Sequence, residues 1–287
     1  MALEERGDVI CAFDYVRRMN ATNIQTAIHK IHYSSRDTKI LQISSILRVL
    51  NGDDAPERLH MKNLQLNNAV ADSFQAFLCK GAHFTPVEEY PILREDMMST
   101  VLPTKILPFN KAITSRGDLH DTFICTYAPD ASFERVRRNP KAYVDFFRRT
   151  AGIIGFDFSI HDDMPVIKQK AQINDNLSLT YFFGDCGVPV IPNLRCGIDE
   201  LYPEFIQAIP KHSLVAIGTN GFIKTATEKS EWFCFLEDVV NDLEPSAIVV
   251  YGGLTGKLFD PLKQKARFVL YDSWISQRQK EVQGHVN

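Results

Sequence analysis

The sequence lacks the patterns that most readily identify an enzyme or a metal-binding protein. It has no Ser-His-Asp signature, no H-E-x-x-H and no G-x-G-x-x-G. None of its six cysteines forms a C-x-x-C pair, which argues against a zinc ribbon or a thioredoxin-like motif. No apolar run approaches the roughly 20 residues that span a bilayer, and Met1–Arg6 lacks the layout of a signal peptide. We therefore expect reduced thiols, cytoplasmic residence and no membrane contact.

The chain also lacks a strong excess of charge. Its 287 residues carry a net charge of −3, with 23% charged and 45% hydrophobic residues, as in ordinary globular proteins. A protein that binds nucleic acid through bulk positive charge would be basic. Any nucleic-acid contact would therefore need a local basic patch.

Four short apolar runs in the second half of the chain each end in a polar or glycine-rich cluster. They are Gly152–Phe158, Val188–Ile191, Leu214–Ile217 and Ala247–Val250. Such runs are typical of buried parallel strands. Ligands of parallel sheets and barrels bind at the carboxyl ends of the strands. The sequence therefore predicts the site at that edge.

From residue 101 onward, predicted strands alternate with helices, which indicates an α/β domain with a mainly parallel sheet and flanking helices. Seven predicted strands favour a three-layer doubly wound sheet, and a shortened or irregular TIM-like barrel is the alternative. About a dozen residues separate Lys105–Phe109 from Phe123–Tyr127, which favours an antiparallel pair or strands that are not neighbours.

Residues 1–100 show apolar positions at helical spacing and predict a helical N-terminal region. Within it, His83–Met98 contains two prolines and several acidic residues, which favours a linker or an extended arm. The predicted organisation is therefore a helical region over residues 1–100 and an α/β domain over residues 101–287.

Several short motifs between Leu102 and Tyr251 resemble the bacterial and phage family known as domain of unknown function 4417. They are Leu107–Phe109, Gly155–Ser159 followed by Asp163–Pro165, Gly187–Asn193, Ile209-Pro210 before Ser213–Ile217, and Val249–Gly252. The resemblance implies an α/β fold unit and an origin in a phage or other mobile element, without implying a reaction. Residues 172–176 depart from the Asn-Arg type of pair expected in the long helix, which puts in doubt any nucleotide or partner contact made by such a pair.

The first candidate site is acidic and lies at the end of the Gly152–Phe158 run. Asp157, His161 and Asp163 are the candidate catalytic residues, with Ser159 as a substrate-binding residue. Asp157 and Asp163 would also suit Mg²⁺ or Mn²⁺, which favour oxygen ligands. The alternative for Asp163 is the cap of a helix that has Pro165 in its first turn.

Other candidate substrate-binding residues follow the later strands. They are Asn193, Arg195, Thr219, Asn220, Tyr251 and Gly252. Arginine binds carboxylate or phosphate oxygens well, and glycine-rich loops let backbone N–H groups approach phosphate. For the arginine-rich segment Arg135–Arg149, a solvated outer helix is favoured over a nucleic-acid surface.

These patterns favour an enzyme acting on a nucleotide or nucleic acid at the carboxyl ends of the strands, with assistance from a divalent metal left open. The alternative is a non-catalytic phage or mobile-element protein that binds a host or partner protein through its N-terminal helices.

Overall fold

The computed structural model describes residues 74–161, 163–197, 199–219, 226–252 and 256–284. The strands are β1 (Lys105–Pro108), β2 (Thr122–Cys125), β3 (Gly152–Ile154), β4 (Val190–Ile191), β5 (Leu214–Gly218), β6 (Ala247–Tyr251) and β7 (Phe268–Tyr271). The helices are α1 (Phe109–Ala112), α2 (Glu134–Arg138), α3 (Val144–Phe147), α4 (Val166–Asp185), α5 (Tyr202–Gln207), α6 (Ala226–Leu243) and α7 (Trp274–Gly284). The helices predicted within residues 1–73 lie outside the described residues.

All paired strands run parallel and follow one another in chain order. One sheet has the order β1-β2-β3-β4 and the other β5-β6-β7. Two backbone hydrogen bonds join them beyond the end of β4, from Leu194 N to Ala216 O and from Ala216 N to Pro192 O, both 2.8 Å. The α/β character with a parallel sheet and flanking helices is confirmed.

The antiparallel alternative for the first two predicted strands is wrong. β1 and β2 pair in parallel, with Lys105 opposite Thr122 and Pro108 opposite Cys125. The four-residue helix α1 directly after β1 shortens the crossover. A connection near the lower length limit for a parallel pair therefore suffices.

Among the described residues, one face of the strands forms a core to which no helix contributes a residue. All seven strands contribute to this core: Ile106, Phe123, Cys125, Ile154, Ile191, Leu214, Ala216, Ala247, Val249, Tyr251, Val269 and Tyr271. In a flat, open sheet this face would need a helix to cover it. These side chains instead pack against one another, and all but Val269 and Tyr271 are buried, as in the interior of a barrel.

Contacts between distant strands show that the sheet curls on itself. The ring of Tyr127, just after β2, stacks on Tyr251 of β6 with centroids 5.3 Å apart. In a flat sheet four strand spacings would separate these positions by roughly 19 Å. The Tyr271 hydroxyl on β7 also donates to Pro103 O, just before β1, at 2.6 Å. The barrel-like alternative therefore describes the sheet better than the doubly wound one.

The seam of the barrel lies between β7 and β1, where no ladder joins the two strands among the described residues. Side chains bridge it instead. The Lys111 ammonium of α1 lies 4.3 Å from the centroid of the Trp274 ring at the start of α7. The helix after the first strand thus contacts the helix after the last.

The outward faces of the strands pack against the helices. Ile124 and Ile153 join a cluster with Phe147, Phe158 and Phe183. A second cluster covers β5 and β6 with residues of α4, α5 and α6. The alternation of inward and outward side chains along each strand separates the barrel interior from this helical layer.

The segment expected to be a linker packs on the core. Tyr90, Leu93 and Met97 are buried in the cluster that covers β5 and β6, and Leu93 N donates to Ala208 O at 2.9 Å. The linker prediction rested on the prolines and acidic residues of this segment and gave no weight to these three apolar positions. The division of the chain at residue 100 stays a prediction, because residues 1–73 lie outside the described part.

Within the described residues, no helix combines the length and the apolar character needed to cross a lipid bilayer.

Candidate functional site

The carboxyl ends of the strands form what we call the barrel mouth, and Asp157, Asn193 and Arg195 meet there. Asn193 Nδ2 donates to Asp157 Oδ1 at 2.8 Å, and Arg195 Nη1 lies 3.6 Å from the same oxygen. The side chains of Asp157 and Arg195 each keep 15% of their surface exposed. A carboxyl group and a guanidinium are therefore largely enclosed yet accessible from outside.

Tyr127 determines the orientation of the Asn193 amide. Its hydroxyl donates to Asn193 Oδ1 at 2.8 Å, which leaves the amide nitrogen to donate to Asp157 Oδ1 and to Phe156 O. Burial raises the pKa of Tyr127 well above its usual range, so the hydroxyl keeps the proton that it donates. We refer to Tyr127, Asp157, Asn193 and Arg195 as the Asp157 cluster.

The electrostatics of the cluster shift the acidity of Asp157. Burial raises the pKa of this carboxyl to about 6, against the opposing effects of the Arg195 charge and the Asn193 hydrogen bond. The charge of Asp130 adds to the rise. A carboxyl with a pKa near neutrality exchanges protons efficiently in either direction at physiological pH.

Side chains hold the backbone around Asp157 almost residue by residue. The N–H of Asp157 donates to Thr126 Oγ1 at 2.9 Å. Asn176 binds both backbone groups of Phe158, accepting from N at 2.8 Å and donating to O at 3.2 Å. Thr180 Oγ1 accepts from Phe156 N. The loop that carries Asp157 is therefore set in place before any ligand binds.

The helical positions that hold this loop are spaced four residues apart on one face of α4. Gln172 donates to Ser159 O, and Asn176 and Thr180 follow at intervals of one turn. Gln172 and Asn176 lie in the stretch that departs from the expected Asn-Arg pair. Their visible role is to support the Asp157 loop.

Ser159 is engaged by a residue that the sequence did not single out. Its hydroxyl donates to Asp130 Oδ1 at 2.9 Å, and its N–H lies 3.2 Å from both carboxylate oxygens. Asp130 thus ties the loop after β2 to the loop after β3. The assignment of Ser159 to substrate binding stays a prediction.

His161 and Asp163 lie apart from the Asp157 cluster. Both are exposed, and neither forms a hydrogen bond or ion pair with Asp157 in the described part of the chain. The N-cap of α4 is Pro165, and no described side chain caps this helix, so the capping role considered for Asp163 is wrong. The catalytic assignments of His161 and Asp163 stay predictions.

The donor set for a metal is sparse. In the ranges that the structure describes, no three His, Cys, Asp or Glu side chains gather as they would around an ion. Arg195 also places a positive charge beside Asp157. The residues present therefore do not fit a dedicated Mg²⁺ or Mn²⁺ site built on Asp157 and Asp163.

The residues that directly follow β5 and β6 each bond to the end of the next strand. The N–H and hydroxyl of Thr219 donate to Tyr251 O at 2.9 and 3.3 Å, and Gly252 N donates to Tyr271 O. A Cβ on Gly218 would lie 2.5 Å from the Tyr127 ring, so this glycine gives room to the tyrosine. These N–H groups extend the sheet, and the predicted substrate contact Asn220 lies outside the described residues.

The arginine-rich segment is used in packing and ion pairs. Arg137 pairs with Glu134 and Asp175 and lies over the Phe158 ring. Arg148 donates to Cys186 O at 2.8 Å. These contacts agree with the outer-helix interpretation of the segment.

Sequence reasoning missed Thr126, Tyr127, Asp130 and Asn176. Thr126 and Tyr127 directly follow β2, so the rule that sites form at strand ends could have found them. Nothing in the local sequence marks Asn176, whose role depends on how α4 lies against the loop.

Comparisons with known proteins give one match. Neither a curated protein nor a solved structure matches the chain. The family model described as domain of unknown function (DUF4417) matches residues 84–271, which is more than half of the chain and includes the whole Asp157 cluster. The chain therefore belongs to the DUF4417 family, as the resemblance between Leu102 and Tyr251 predicted.

Proposed function

We propose that this protein is an enzyme that acts on a phosphate-bearing substrate, a nucleotide or a nucleic acid, at the barrel mouth. Asp157 transfers a proton to or from the substrate. Arg195 stabilises negative charge that develops beside it. The supporting observation is the enclosed but accessible Asp157 carboxyl, held 2.8 Å from Asn193 and 3.6 Å from Arg195.

A structural role alone accounts poorly for this arrangement. Removing an ionised carboxyl from water costs several kcal/mol, and the attraction to a nearby arginine often does not compensate for this cost. Apolar residues of similar volume would pack the mouth at no such cost. Strongly perturbed carboxyls in clefts are typical of functional sites, and fixed dipoles around a reacting group are a main source of catalysis.

The members of the Asp157 cluster have different roles in the proposed reaction. The carboxyl carries the proton, and its pKa of about 6 keeps both protonation states accessible near neutral pH. Asn193, oriented by Tyr127, holds the carboxyl in one rotamer. Each of these roles uses the chain's own side chains, and the described residues gather no three metal-binding side chains.

The origin of the protein and its cellular location are also part of the proposal. The family resemblance supports a phage or mobile-element origin. The thiols of Cys125, Cys186 and Cys234 are free, which supports a cytoplasmic location, because disulfides are rare there.

Substitution of Asp157 tests the catalytic role. Nucleotides, oligonucleotides and other phosphate esters are screened for turnover by the parent protein and by Asp157→Asn. We expect Asp157→Asn to lose at least about a hundredfold in rate, with a melting temperature no more than a few degrees lower. Asp118→Asn is the matched control, because Asp118 is an exposed carboxyl outside the mouth. Asp163→Asn tests the separate prediction for that residue.

The opposite outcome would favour the non-catalytic alternative. If the parent turns over no phosphate ester and a protein partner binds through residues 1–73, the chain is a docking protein. A large loss of stability in Asp157→Asn, with activity retained per folded molecule, would make Asp157 part of the scaffold.

A further inference from the structure

A second cationic side chain of the barrel mouth, besides Arg195, lies at the seam, on the helix after β1. Lys111 is half-buried, and its ammonium lies 4.3 Å from the centroid of the Trp274 ring. Among the described residues no carboxylate pairs with it, whereas Arg195 and Arg137 both have carboxylate partners. A cation–π contact compensates only part of the cost of enclosing a charge, so an anion would complete this site.

A continuous chain of contacts links Lys111 to the Asp157 cluster. The backbone N–H of Trp274 donates to the Tyr251 hydroxyl at 2.8 Å. Tyr251 stacks on Tyr127 at 5.3 Å, and Tyr127 donates to Asn193, which in turn donates to Asp157. The cation and the acid are thus two ends of one aromatic and polar network at the mouth.

We propose that Lys111 binds the phosphate group of the substrate, at the seam of the mouth between β7 and β1. The proposal rests on the proposed function and names the part of the mouth that holds the phosphate. The phosphate then serves as an anchor, and proton transfer takes place at a different group of the substrate near Asp157. Binding energy from a remote phosphate can be used to orient the reacting group, and barrels commonly bind phosphate at the loops of their last strands.

The position of Trp274 provides a direct probe. The chain has two tryptophans, so Trp232→Phe leaves Trp274 as the only source of indole fluorescence. Inorganic phosphate is titrated into this variant at constant ionic strength. We expect a saturable change in Trp274 emission with a dissociation constant in the millimolar range.

Charge removal at Lys111 then tests the contact. In the same background, Lys111→Gln should bind phosphate at least about tenfold more weakly, and Lys111→Arg should bind it within a few-fold of the parent. Lys105→Gln is the matched control, because Lys105 is an exposed lysine at the start of β1. Its affinity should equal that of the parent.

Three results would overturn the proposal: no response of Trp274 to phosphate, equal affinity in Lys111→Gln and its parent, or equal losses in Lys111→Gln and Lys105→Gln. If Lys111→Gln does not fold, the Trp274 indole N–H resonance of the parent decides, and its failure to shift with phosphate counts against the proposal. Asp157→Asn should retain phosphate binding, so a failure of the anchor is distinguishable from a failure of the catalytic role.

Discussion

The hydroxyl of Tyr127 donates to Asn193 Oδ1 at 2.8 Å, and this contact determines which end of the Asn193 amide faces Asp157. With the oxygen occupied, the amide nitrogen points at the carboxyl and donates to it. A residue at the end of β2 thereby controls, through a residue after β4, an acid after β3. Three closely spaced strand ends act as one unit.

Removing the Tyr127 hydroxyl should release the Asn193 amide. In Tyr127→Phe we expect the pKa of Asp157 to rise further, because the Asn193 hydrogen bond that lowers it is no longer enforced. The free energy of unfolding should fall by about 1 kcal/mol. Carbon-13 NMR of the Asp157 carboxyl across a pH series measures the first effect. Tyr143→Phe is the control, and an unchanged Asp157 titration in Tyr127→Phe would contradict the prediction.

Asp157 should also make stability depend on pH. Its pKa rises from 3.8 to about 6 on folding, so between these values the folded state binds the proton more tightly than the unfolded state. The stabilisation from this group is full below pH 3.8 and is lost as the pH rises through about 6. The loss amounts to about 3 kcal/mol. Urea unfolding at a series of pH values should show this slope in the parent protein.

The Asp157→Asn variant identifies the origin of that slope. Because asparagine does not titrate, the decrease in stability between these pH values should be smaller in the variant by the same amount. An identical pH profile for the two proteins would assign the slope to other groups.

Asn176 should stabilise the loop that carries Asp157. Asn176→Ala leaves the buried N–H and C=O of Phe158 without their partners, at a cost of about 2–4 kcal/mol. Hydrogen exchange at the Phe158 amide should accelerate more than exchange in the strands. Asn174→Ala is the matched control, since Asn174 is exposed on the same helix. Equal effects of the two substitutions would show that the hydrogen bonds between Asn176 and the Phe158 backbone contribute little to stability.

Several elements could be predicted because their signal is local. The run Ala247–Val250 differs from β6 only by Tyr251, and Leu214–Ile217 differs from β5 only by Gly218. The run Gly152–Phe158, which contains Asp157, gave a strand shorter than expected, Gly152–Ile154. Side chains rather than a neighbouring strand bind the backbone from Phe156 onward.

The closure of the sheet could not be predicted in the same way. Doubly wound sheets and barrels share the alternation of apolar strands and amphipathic helices, and they differ in strand order. That order depends on contacts between residues far apart in the chain, such as Tyr127 with Tyr251. The antiparallel prediction for β1 and β2 was wrong for the same reason. The length of the connection between them does not by itself specify the direction of pairing.

The sequence by itself determined where the strands lie, which of their ends carries polar residues, and that Asp157, Asn193 and Arg195 belong to that end. The tertiary structure decided which of these residues meet. Hydrophobic periodicity is a property of neighbouring residues, so it locates a strand end without placing it beside another. Curling of the sheet brought Asp157 to Asn193 and Arg195. His161 and Asp163 stayed exposed. The same curling linked Lys111 to the mouth by a chain of contacts through Trp274, Tyr251 and Tyr127.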